Sequence, residues 1–157
     1  MEKKLGVAFG LKCFFFPNNN HWFKRILLVF AFIFFDYFIT LISCQFTYEE
    51  ANLYARGFME ILGVPLGLTL FVFMANLPIY MTLSLDSHII RFPPRIAVFI
   101  EVLVDIMFAW FVAGSHFSGG TSWLWYAPEW IGQSFGTFLY LIMAFLIIKP
   151  HKLQYGT

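Results

Sequence analysis

Apolar residues fill this chain in four long blocks, separated by short segments where proline, asparagine, glycine and charge collect. Residues 26–46, 62–85, 96–115 and 131–148 all have lengths within the about 17–25 residues that a helix needs to cross a bilayer core. The pattern predicts an all-α integral membrane protein, a four-helix bundle. Residues 1–25 mix Lys3, Lys4 and Lys12 with Phe14, Phe15, Phe16 and Trp22, which suits an arm lying in the headgroup region. Residues 149–157 read as a polar tail.

Polar positions inside the blocks are few and ordered. Asp36, Thr40, Ser43 and Thr47 follow helical spacing, so the first span carries one polar face that belongs inside the bundle. Asn76 and Pro78 interrupt the second block, and Glu101 and Asp105 stand four apart on one face of the third. Ten residues separate Ile26 from Asp36 and Arg95 from Asp105, a rise of about 15 Å in each case, half of a roughly 30 Å core. Asp36, Asn76 and Asp105 are therefore expected to form one polar layer at the midplane, with the two aspartates sharing a proton. His116 is expected at the far boundary as an ordinary interfacial residue.

Composition fits this picture: 60% of the 157 residues are hydrophobic and only 12% charged, and no soluble catalytic domain can be accommodated beside four spans. The net charge of +1 gives no argument for nucleic acid, but its distribution orients the chain. Lys3, Lys4, Lys12, Lys24, Arg25, Arg91, Arg95, Lys149 and Lys152 fall on one side against Arg56 on the other. The positive-inside rule then places both termini in the cytoplasm and the chain in the cell membrane as a multi-pass protein. Trp123, Trp125, Tyr126 and Trp130 read as an outer aromatic belt. Gly119 and Gly120 before it offer a second reading, the hinge of a lid.

Gly63 and Gly67 share their spacing with Gly132 and Gly136. Small residues four apart let helices approach closely, so the second and fourth spans are expected to touch there, or either pair to meet a partner in a homo- or hetero-oligomer.

Asp36 with Thr40, followed by Glu50, Ala51 and Asn52, resembles a family of small prokaryotic multi-pass membrane proteins of unknown function. That family carries an Asp-x-x-x-Thr first helix and then Glu-x-Asn-Pro. The likeness spans about residues 30–85, and Leu53 departs from the family's proline. It implies a membrane fold and no particular activity.

The chemistry on offer is acidic. Asp36, Glu101 and Asp105 lie in apolar blocks that contain no Lys or Arg, so they are expected to be protonated or balanced by water, a bound cation or a partner's basic residue. This favours ion- or proton-linked transport of a small solute. The alternative is a structural or accessory subunit of a membrane complex, and a third reading is an intramembrane enzyme acting on a lipid. A weaker cluster, Glu49, Glu50, Asn52 and His116, with Glu60 and Glu129 near it in sequence, collects on the outer side. No hydrolase, phosphate-loop or metal-ligand motif is present, so the expectation is a protein without cofactor or metal and without soluble-type catalysis.

Overall fold

The computed structural model describes residues 20–86 and 94–148, and every regular element among them is helical. Helix α1 covers Asn20–Ser43, and after a 3-10 turn at Thr47–Glu49 come α2, Leu53–Leu62, and α3, Val64–Asp86. Helix α4, Pro94–Phe108, runs through a wide π turn at Ala109–Gly114 directly into α5, Ser115–Ser122. Helix α6 closes the described chain over Glu129–Ile147.

Among the described residues, four stretches are long and apolar enough to cross a membrane: Trp22–Ser43, Val64–Ser84, Val102–Ser122 and Glu129–Ile147. No more than 28% of any of them is buried inside the protein, so most of their surface is left for lipid. Two boundaries differ from the sequence pattern. Residues 20–25 of the expected arm already belong to α1, while the rest of the arm and the tail 149–157 lie outside the described residues. The third apolar stretch ends at Ser122, because Gly114, Gly119 and Gly120, which suggest a helix end, are held in the helix by close neighbours.

Helix α1 is the centre of the assembly. Its Leu28, Val29, Phe32 and Ile33 form a buried core with Leu83 of α3, Ala109, Val112 and Ala113 of the π turn, and Tyr140 of α6. The third and fourth spans meet along a seam of small residues. A Cβ on Gly132 would lie 2.8 Å from Ser118 Oγ, and one on Gly136 would collide with the Phe117 side chain. The expected contact between second and fourth spans is thus corrected: Gly132 and Gly136 serve the third span. Gly67 has its α-carbon against the backbone of Phe58 and Met59 in α2, and Gly63, at φ 80°, makes the turn between α2 and α3. Spacing of four residues announced a close approach in three of these glycines but not which neighbour approaches.

A π turn widens the helix and frees carbonyls that an α-helix would use. Here α6 supplies the donors. Gln133 Nε2 donates to Trp110 O at 3.2 Å, and Thr137 Oγ1, 2.7 Å from Gln133 O in its own helix, shares its proton with Ala109 O at 3.2 Å. Helix α3, by contrast, rests on α1 and α2 and has only marginal contact with the third and fourth spans. That looseness leaves space between α3 and α5.

Candidate functional site

Two charged contacts join α1 to the third span. Arg25 Nη2 donates to Asp105 Oδ2 at 3.0 Å, and His116 Nδ1 lies 2.8 Å from Asp36 Oδ2. Both pairs are 80 residues apart in sequence, so the two helices run parallel. Their depths differ by eleven residues, about 16 Å of rise. The pairs sit towards opposite ends of the bundle, with the apolar core of Val29, Phe32, Ile33, Ala109, Val112 and Ala113 between them.

This overturns the shared midplane layer. Asp36 and Asp105 do not meet, because the third span is shifted relative to the first and Arg25 reaches Asp105 from the end of its own helix. Cations absent from the apolar blocks therefore still reach one of the acids. The backbone of Glu101 lies in α4, and its side chain is outside the described residues. His116, taken from the sequence as an ordinary boundary residue, is instead the partner of an intramembrane carboxylate.

Around Asp36 the packing is close. A Cβ on Gly119 would lie 2.9 Å from Asp36 Oδ1, and one on Gly120 would press on Phe35 and on the Asp36 backbone. These glycines bring α5 onto α1 and are not a hinge. Thr40 Oγ1 lies 3.5 Å from Asp36 Oδ1 and accepts a hydrogen bond from Trp123 Nε1 at 3.1 Å. Trp123 thus has a polar partner inside the bundle, whereas Tyr126 and Trp130 are exposed as a belt residue should be.

Asp36 and His116 line an open cavity of about 940 Å³ at the end of the bundle opposite the start of α1. Thr40, Glu49, Glu50, Asn52, Asn76 and Glu129 share its wall. The four residues that carry the family resemblance, Asp36, Thr40, Glu50 and Asn52, are thus gathered around one space, as is the whole outer acidic cluster. The loop that brings Glu50 there is built by local bonds. Asn52 caps α2 by accepting from Tyr54 N at 3.0 Å and Ala55 N at 3.3 Å, and its own N–H donates to Glu50 Oε1 at 2.7 Å. Leu53, where the resembling family has proline, is the first helical residue, a position whose N–H has no helical partner in any case. Arg56 clamps the loop by donating to the carbonyls of Tyr48 and Glu50.

Burial pushes the Glu50 carboxyl above its ordinary value; the Asn52 N–H opposes this, the nearby Asp36 charge adds to it, and Arg56 opposes it. Among the described residues, no three of His, Cys, Asp and Glu converge as a metal site requires. The sequence alone did not reveal Arg25 or Trp123 as partners. One signal was available: Arg25 and Asp36 are eleven apart, as are Asp105 and His116, with the signs reversed.

No family model matches the chain, and no curated protein or solved structure matches it either.

Proposed function

We propose that this protein moves a small solute across the membrane in step with a proton, with the cavity as the loading site and the Asp36–His116 pair as the proton exchanger. One observation carries the reading: a carboxylate and an imidazole 2.8 Å apart stand in the wall of an open polar cavity, inside apolar spans. Such a pair passes protons to and from cavity water, and an intramembrane acid is expensive enough to need a reason for its presence.

The apolar core below the pair closes the route toward the other end, so transport requires the helices to part. The loosely held α3 is the element that moves in this proposal. By the positive-inside rule the termini are cytoplasmic and the cavity faces outward from the cell membrane.

Proteoliposomes holding a pH-sensitive dye test the proposal. They are given an acid pulse with and without a low-molecular-mass extract of native cells. Proton entry should rise with the extract and fall at least tenfold in Asp36→Asn and His116→Phe. Equal rates in wild-type and Asp36→Asn vesicles, with and without extract, would overturn it.

A further inference from the structure

A second space of about 620 Å³ lies along the α1–α3 seam, a groove walled by Phe30, Phe34, Phe73, Leu77 and Tyr80. Phe34, Phe73 and Leu77 are exposed side chains on membrane-spanning helices, so the groove faces lipid. Tyr37, Val72 and Asn76 belong to the walls of both the groove and the polar cavity. A molecule lying in the groove therefore ends at the cavity wall.

Asn76 stands at that junction and is only 5% exposed. Its Nδ2 donates to Val72 O at 2.8 Å, one turn back in the same helix. Because a carbonyl only accepts, this bond fixes which end of the amide is nitrogen. Asn76 Oδ1 is left without a hydrogen-bond partner among the described residues. That oxygen is open to the space it borders, so it offers an acceptor to a donor there. On the cavity side Asp36, Glu49, Glu50 and Glu129 add acceptors, with His116 and, among the described residues, no Lys or Arg in the wall.

We infer that groove and cavity together hold a single-chain amphiphile with a protonated amine head. Its tail fills the groove, and its ammonium group donates to Asn76 Oδ1 and faces Asp36 and Glu50. A volume of this size falls within the about 300–1,000 Å³ typical of small-molecule pockets. A phosphate-bearing headgroup is disfavoured by the carboxylates, which attract the ammonium instead. This inference rests on the cavity being the loading site, and it names the chemical class of the solute.

Calorimetric titration of the full chain in phosphatidylcholine nanodiscs, blanked against empty discs, tests it with dodecylamine, dodecanol and butylamine. Dodecylamine should bind saturably and at least tenfold more tightly than either comparator. Leu77→Trp, which fills the groove from a lipid-facing position, should weaken dodecylamine about tenfold and leave butylamine unchanged. Glu50→Gln should weaken both amines and leave dodecanol unchanged. Dodecanol binding as tightly as dodecylamine, undiminished binding in Leu77→Trp, or uptake no different from empty discs would each overturn the inference. So would a wild-type dimer that Leu77→Trp dissociates, which would assign the groove to a second copy of the chain. Amine binding that fails while the proton assay succeeds removes only the amphiphile; a failed proton assay with intact amine binding removes transport and leaves a binding site.

Discussion

Arg25–Asp105 and Asp36–His116 tie the same two parallel helices together, yet they differ in what surrounds them. Near the start of α1, the guanidinium and carboxylate lie close to Tyr140, whose ring is 1% exposed at the heart of the bundle. At the other end the carboxylate and imidazole stand in the wall of an open polar cavity. The first pair borders a buried ring; the second opens on the cavity, the access that the proposed exchange would require. Asp105 and Asp36 are about equally exposed, at 25% and 23%, so what separates the pairs is the partner and the space each borders.

The largest expected effect comes from breaking the first pair. Arg25→Leu leaves Asp105 without its guanidinium and should lower stability by about 3 kcal/mol, measured by unfolding in mixed detergent micelles. Arg25→Met with Asp105→Leu should recover most of that loss, because two matched apolar side chains replace the pair. Asp36→Asn, measured the same way, should cost less than about 1 kcal/mol, since the amide keeps the shape and a hydrogen-bonding head. Equal losses at the two pairs would erase the distinction between fastener and exchanger.

Glycine replacements sharpen the comparison at smaller scale. Gly136→Ala drives a methyl into Phe117 and toward Gly114 and should cost about 1–3 kcal/mol. Gly119→Ala meets only the end of the Asp36 side chain, so its stability cost should be smaller, while the His116 ring signals in a nuclear magnetic resonance spectrum shift as the carboxylate is displaced. An unshifted His116 would mean that Gly119 does not position the pair.

The smallest effect is one of pH. The Glu50 carboxyl is raised in the folded protein, chiefly by burial, so the folded state holds its proton to higher pH than the unfolded chain. Its contribution is most favourable below the unfolded value and is lost as pH rises through the folded one. Glu50→Gln should therefore be the more stable protein at neutral pH, with the difference vanishing on acidification. A difference that grows on acidification would reverse the sign of the burial effect.

Much of the fold was legible. Hydropathy alone located four spans, and the cost of a carboxylate in lipid marked Asp36 and Asp105 as residues whose charge must be compensated, though no ion pair within the chain was expected. The partners were not legible, because depth was counted from Ile26 and Arg95 as if each marked a membrane face. Helix α1 starts at Asn20, before Ile26, and the third span packs so that Arg25 meets Asp105, which moves Asp105 toward one end and His116 into line with Asp36. Glu49, Glu50 and Asn52 were legible as a set because neighbours in a loop also meet in space, whereas His116, far along the chain, joins them only because α5 packs on α1. The groove was not, because it depends on where α3 fails to pack.

The π turn at Ala109–Gly114 has a consequence for the spacing of the protein itself. It lies between Asp105 and His116 and acts as a phase adjuster: each residue in a regular helix turns the chain by about 100°. Were its six residues to wind as ordinary α-helix with none removed, everything from Ser115 to Ser122 would rotate by about 100°. Arg25 would keep Asp105, while His116 and Gly119 would swing off Asp36 together. The width of that turn is thus as much a specification of the two contacts as the identity of either residue.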